Sequence, residues 1–152
     1  MHIPRRLTLL GTCATLALAS CNTPTSQVQM YADLITAGVV AFAPALRVKA
    51  SPTQRSQIDV AVAAIQRADA ALATATGQQA TLNVQSIVAS VQAIAPIAIE
   101  LLPPGSAEAL AASAAVSLLP AILRAAGVTP APTIAAPPMD EGRATAVLRA
   151  VR

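Results

Sequence analysis

The feature that most constrains the fold of this sequence is a run of apolar residues spaced alternately three and four positions apart. Such residues share one face of an α-helix, which has 3.6 residues per turn. The members of the run are Val84, Ile87, Val91, Ile94, Ala98 and Leu101. Gln85, Ser86 and Gln92 fall on the other faces. An apolar stripe of this kind has to be buried against other helices, so the pattern predicts a helical bundle.

A second segment carries start and stop signals for a helix. Ser51 followed by Pro52 is typical of a helix N-terminus, and Gly77 is typical of a C-terminal cap, so we predict a helix over residues 52–76. Large apolar residues recur every seven positions along it, with alanines between them, and this alternation allows two helices to approach closely. These residues are Ile58, Ala61, Ile65, Ala68, Leu72 and Ala75.

Two further helices are predicted on either side of this pair. Residues 27–43 form an amphipathic segment that Pro44 is expected to end or kink. Residues 103–105, Pro-Pro-Gly, form a turn after which Ser106 can cap a fourth helix, and Gly127 is expected to close it. The sequence therefore predicts an all-α fold, a small antiparallel bundle of three to four helices over residues 27–127.

Alanine supplies much of the apolar content of this bundle. The chain is 55% hydrophobic but has one Tyr, one Phe and no Trp. Alanine is the best helix former, yet it contributes little buried surface. We therefore expect the bundle either to self-associate or to dock on a partner protein.

The C-terminal segment differs from the bundle in composition. Residues 128–138 are rich in proline and predict an extended linker. Residues 139–152 form a short basic tail that would be only a marginal helix alone. We expect this tail to extend away from the bundle and contact a partner.

The N-terminal segment has the three parts of a secretory signal. Arg5 and Arg6 lie in a positive region, residues 7–17 are apolar but too short for a stable transmembrane helix, and small residues follow. The four residues that come next, Leu18-Ala19-Ser20-Cys21, resemble the lipobox of bacterial lipoprotein precursors. An ordinary buried cysteine after an uncleaved anchor helix is the alternative interpretation.

Several expectations follow from the resemblance to lipoprotein precursors. Residues 1–20 are the signal peptide, Cys21 receives the lipid, and signal peptidase II cleaves between Ser20 and Cys21. Residues 21–26 form a lipidated tether. Asn22, following the cysteine, favours an outer-membrane location facing the periplasm. Cys13 is the rival lipidation site, but it follows Thr12 and leaves almost no apolar region before it.

Loss of the signal peptide would remove much of the chemistry available to the chain. Without Arg5 and Arg6, the chain has eight basic and seven acidic side chains, and this near-neutral balance does not indicate a nucleic-acid partner. His2 and Cys13 would be lost, and the lipid would occupy Cys21. We therefore predict no metal site, no cofactor and no enzymatic activity.

The remaining polar candidates have ordinary structural interpretations. Asp59 and Asp69 are interpreted as solvated charges, whereas Asp140 and Glu141 favour a helix N-terminus. Tyr31 is interpreted as a core aromatic residue with its hydroxyl at the rim.

Three functions fit these features. The first is a lipid-anchored envelope protein that acts as a structural or interaction module. The second is a membrane-active lysis accessory, since the lipobox and proline-rich segment also resemble the outer-membrane subunit of phage spanins. The third is a carrier of a lipid or another apolar ligand. The helix of the three-four run and the fourth helix are not expected to span a membrane. Amides interrupt the former, and the uncharged part of the latter, residues 109–123, is short for a bilayer.

Overall fold

The computed structural model describes residues 25–128 and 139–151, in which the regular structure is helical throughout. The prediction of an all-α helical bundle is confirmed for these residues. Their helices are α1 Thr25–Lys49, α2 Pro52–Leu72, α3 Gly77–Leu101, α4 Ala107–Ala125 and α5 Glu141–Ala150. The predicted signal peptide, Cys21 and residues 129–138 of the linker lie outside the described residues.

Hydrogen bonds between side chains fix the relative directions of the first three helices. The Gln29 amide donates to Asp69 over 3.3 Å, which joins the beginning of α1 to the end of α2. The Gln54 amide donates to Glu100 over 3.5 Å, which joins the beginning of α2 to the end of α3. Consecutive helices are therefore antiparallel, and α1 and α3 run in the same direction.

Helices α4 and α5 pack against α1. Tyr31 near the start of α1 and Arg124 near the end of α4 both hydrogen-bond Glu141, the first residue of α5. Further along, Leu148 of α5 lies over Gly38 of α1. Helix α5 therefore runs parallel to α1 and antiparallel to α4. The expectation that the C-terminal tail extends away from the bundle is wrong, because α1 and α4 bury Ala144 and Leu148 completely.

The core is built from the apolar stripes that the sequence predicts. Among the described residues, no polar or charged residue is classed as buried. In α2, the apolar residues at the seven-residue spacing are buried. In α3, the residues of the three-four run are also buried, apart from Leu101, which is half-buried. The largest side chains that are fully or almost fully buried are Phe42, Leu34, Ile35, Leu46, Ile58, Ile65, Ile87, Ile94, Leu118, Leu119, Ile122 and Leu148.

Local capping interactions define several helix ends. The Ser51 hydroxyl accepts a hydrogen bond from the backbone N–H of Gln54, and the side-chain oxygen of Gln54 accepts one from the backbone N–H of Ser51. Together the two bonds form a capping box. Ser106 caps α4 in the predicted way. Gly127 adopts a φ of 71°, and the N–H of Val128 bonds the Leu123 carbonyl, so that α4 ends in a Schellman motif.

Helix α1 continues through Pro44 to Lys49, beyond the predicted end at residue 43. Proline lacks the N–H that would bond the carbonyl of Val40. Both Pro44 and Val40 lie on the exposed side of α1, where water can solvate that carbonyl. Leu46, in the following turn, is fully buried. Burial beyond the proline therefore offsets the missing hydrogen bond.

The prediction that Gly77 caps α2 is also wrong. Helix α2 ends at Leu72, and Gly77 is the first residue of α3, with Thr76 at the N-cap. The left-handed conformation expected of this glycine is present, with a φ of 54°, but it turns the chain into the next helix. The chain leaves α2 through a turn in which the N–H groups of Thr74 and Ala75 bond the carbonyls of Ala71 and Leu72.

Three of the described helices are long enough and apolar enough to cross a membrane, by length and composition alone. They occupy Ser26–Lys49, Gly77–Leu101 and Ala107–Ala125. The last has 19 residues, and its uncharged part covers residues 109–123, between Glu108 and Arg124. Between 44% and 50% of each apolar window is buried inside the bundle, however.

Candidate functional site

The predicted lipidation site, Leu18-Ala19-Ser20-Cys21, lies outside the described residues. Helix α1 begins at Thr25, four residues after Cys21. An extended chain spans at most about 3.6 Å per residue, so a lipid on Cys21 would lie within about 14 Å of α1. The beginning of α1 and the ends of α2 and α4 define what we call the proximal end of the bundle.

A polar cluster at the proximal end fastens α5 to the bundle. The Tyr31 hydroxyl donates a hydrogen bond to one carboxylate oxygen of Glu141. The Arg124 guanidinium lies 3.2 Å from the other oxygen. We call these three residues the Glu141 clasp. The hydrogen bond to Glu141, followed by burial, raises the pKa of Tyr31 above its ordinary value of 10.0.

The Glu141 clasp borders a shallow cleft of about 350 Å³. Gln27, Ala121 and Ala125 complete its walls. Both carboxylate oxygens of Glu141 already have donors, so the clasp is suited to holding a helix terminus. The prediction that Tyr31 carries its hydroxyl at the rim is correct, and Asp140 caps α5 as expected by accepting a hydrogen bond from the Arg143 amide.

A second polar cluster links α1 to α2. The Gln29 side-chain amide lies 2.9 Å from an oxygen of Asp33 and 3.3 Å from an oxygen of Asp69. One amide thus bridges two carboxylates on neighbouring helices. Sequence reasoning gave Asp69 no such role, because nothing in the spacing of a helix identifies its partner on another helix.

The other carboxylate considered from the sequence, Asp59, forms a surface ion pair. Its oxygen lies 2.7 Å from the Arg47 guanidinium, and the two side chains are 58% and 41% exposed. A pair this exposed contributes little to stability. Among the described residues, no group of three or more His, Cys, Asp or Glu side chains is placed to hold a metal ion.

An apolar surface depression lies between α3 and α4, at the end of the bundle away from the start of α1. This α3/α4 groove has a volume of about 360 Å³. Ile99 and Leu110 line it and are 62% and 39% exposed. The connection through Pro104 and Gly105 closes one end. Its size and lining fit an apolar ligand or an apolar side chain of a partner.

Comparisons with known protein families, with curated proteins and with solved structures find no match for this chain.

Proposed function

We propose that this chain is the precursor of a lipid-anchored lipoprotein of the bacterial cell envelope. Its helical bundle faces the periplasm, from the outer membrane, and acts as a structural or interaction module. The observation that carries the proposal is Leu18-Ala19-Ser20-Cys21 at the end of a signal-like segment. Helix α1 begins four residues later, so the lipid would hold the proximal end of the bundle close to the bilayer.

The lipid anchor supplies the membrane affinity that this function requires. Each buried methylene contributes about 0.8 kcal/mol, so that one acyl chain holds a protein only reversibly. The two or three chains expected on a lipoprotein cysteine would make attachment durable. The tether fixes one end of the bundle, and α1, which is about 37 Å long at 1.5 Å per residue, carries the other end into the periplasm.

Labelling with a palmitate analogue tests the anchor. We expect Cys21→Ser to abolish labelling and to release the protein from the membrane fraction. Cys13→Ser is the matched control, because it changes the chain's other cysteine and should leave both properties intact. Labelling that persists in Cys21→Ser and disappears in Cys13→Ser would show that Cys13 carries the lipid and Cys21 does not. Absence of labelling in the unsubstituted protein would exclude the lipoprotein.

The α3/α4 groove is the surface best suited to a periplasmic partner, since it lies far from the proposed anchor and exposes Ile99 and Leu110. Photo-crosslinking in intact cells tests this role. We expect a crosslinker at position 110 to give an adduct with an envelope protein. A crosslinker at Ala63, on the exposed face of α2, is the control. Equal adducts from both positions, or none from either, would contradict a specific surface.

A second candidate function is supported by the apolar lining of the same groove, which can hold a lipid chain or a similar apolar ligand. Binding of an apolar fluorescent dye by the lipid-free protein tests this function. Ala109→Phe would fill the groove and should abolish binding. Ala64→Phe, in the separate depression between α2 and α3, is the control. Undiminished binding by Ala109→Phe would exclude the α3/α4 groove as the ligand site.

A further inference from the structure

Helix α5 occupies a groove between α1 and α4, which we call the α1/α4 groove. Ala144 and Leu148 point into it and are fully buried, whereas Glu141, Arg149 and Ala150 are exposed. These buried positions are four residues apart, and Glu141 precedes Ala144 by three. The groove therefore recognises the face of an amphipathic helix, in the way that other helix-binding grooves do.

Gly38 forms the floor of the α1/α4 groove. A β-carbon built on Gly38 would lie 2.5 Å from Cδ2 of Leu148, and its three nearest atoms would all belong to Leu148. Glycine inside a helix is destabilising relative to alanine. At this position, however, the missing β-carbon leaves the space that Leu148 fills. Leu148 and Gly38 thus fit each other as a knob and its hole.

The Glu141 clasp sets the position of the helix along the groove. Tyr31 and Arg124, from the two walls, both reach the carboxylate at the first residue of α5. The complete recognition pattern is an acidic residue followed by a small residue after three positions and a leucine after four more. Glu141, Ala144 and Leu148 supply it within a helix of ten residues.

We propose that the α1/α4 groove also accepts α5 from a second copy of this chain, so that two copies exchange their C-terminal helices. Exchange fills each groove with the same residues and requires no new contact. Twelve residue steps separate Val128, which follows α4, from Asp140. A chain of that length can span at most about 40 Å, several helix diameters, and so can reach a neighbouring copy.

Membrane attachment would favour the exchange. A helix docked within its own chain competes at an effective concentration in the millimolar range. Copies anchored in one membrane are concentrated near one another, and this part of the inference rests on the proposed lipid anchor. The capacity of the groove to bind α5 from another copy does not, and it can be tested in solution without the lipid.

Mixing two variants of residues 22–152, which contain every described residue, tests the exchange. Leu148→Asp spoils α5 but leaves the groove intact, whereas Gly38→Leu fills the floor of the groove but leaves α5 intact. Neither chain can dock its own α5. We expect each variant alone to be monomeric by light scattering and an equimolar mixture near millimolar concentration to double in mass. The doubling requires one intact groove and one intact α5 from different chains.

Circular dichroism of each variant shows whether the bundle remains folded. If either substitution unfolds it, Ala144→Glu replaces Leu148→Asp, and Gly38→Ala, whose β-carbon would already lie 2.5 Å from Cδ2 of Leu148, replaces Gly38→Leu. A mixture of folded variants that stays monomeric would overturn the proposal. Because the mixed chains carry no lipid, that result would not argue against the lipid anchor. Conversely, failure of palmitate labelling at Cys21 would not argue against the exchange of α5.

Discussion

Tyr31 is the only tyrosine of the chain, which also lacks tryptophan, so the absorbance of tyrosinate reports on this residue alone. Its hydroxyl donates to Glu141, and this hydrogen bond and burial raise the pKa of Tyr31. The folded state therefore holds the phenolic proton more tightly than the unfolded state does. The resulting stability is complete below pH 10.0, the ordinary pKa, and is lost as the pH rises through the higher folded value.

We predict that alkaline titration of the folded protein gives a tyrosinate midpoint above the one measured in denaturant. Glu141→Ala should bring the folded midpoint down, because it removes both the acceptor and the negative charge. Glu108→Ala, which changes a carboxylate of α4 outside the clasp, should leave the midpoint unchanged. Identical midpoints for the folded and denatured protein would show that the clasp is absent in solution.

A substitution at Ile87 tests whether the apolar stripe of α3 is part of the core. Ile87 is fully buried in α3, and Gln85, two residues earlier, is exposed. We predict that Ile87→Asp lowers the free energy of unfolding by about 3 kcal/mol or more, because it buries a charge without a partner. Gln85→Asp should change it by less than about 0.5 kcal/mol. Urea unfolding of both variants measures the difference, and equal losses would place the stripe of α3 outside the core.

At the scale of elements, the ends of the helices depend on a few local hydrogen bonds. Ser51 accepts a bond from the Gln54 amide nitrogen at the start of α2. We predict that Ser51→Ala costs about 1 kcal/mol of stability, because it leaves that donor without its cap. Ser56→Ala, at an exposed position inside the same helix, should be neutral or slightly stabilising. Thermal unfolding compares them, and an unchanged midpoint in Ser51→Ala would argue against the capping box.

Helix α4 shows why an alanine-rich element suits its position. It packs against α1, α3 and α5, and only its ends and Leu110 are exposed. Alanines on several of its faces let three neighbouring helices approach closely. Close approach of the helices at alanine thus reduces the volume that large side chains have to fill, and Gly38 beneath Leu148 extends the same principle to α5.

At the scale of the whole molecule, the apolar surfaces of α1, α3 and α4 can be buried by one another or by lipid. About half of each apolar window already lies inside the bundle. In addition, Gln85, Ser86, Ser90 and Gln92 place amide and hydroxyl groups along α3, and these are unfavourable in lipid.

We therefore predict that residues 22–152, made without the signal peptide and without Cys21, remain in aqueous solution without detergent. Ultracentrifugation followed by carbonate extraction of the membrane fraction measures this. The full precursor is the control, since its lipid should keep it in the membrane. Carbonate-resistant association of the truncated protein would instead favour the membrane-active, spanin-like function.

The all-α class, the buried stripes of α2 and α3, and the caps at Ser51, Ser106 and Gly127 follow from residues close together in sequence. Each depends on helical periodicity or on a hydrogen bond that spans a few residues. For that reason they could be predicted from the sequence alone. The resemblance of Leu18-Ala19-Ser20-Cys21 to a lipobox is equally local, and it stays a prediction.

The tertiary structure decided the rest. Burial of residues beyond Pro44 stabilises the last turn of α1, although proline ordinarily ends a helix. Packing of Leu148 against Gly38 stabilises α5, which would be a marginal helix alone. The Glu141 clasp joins Tyr31 to a residue 110 positions away. No local pattern specifies such a partner, because the free energy of these contacts arises only when distant segments bury surface together.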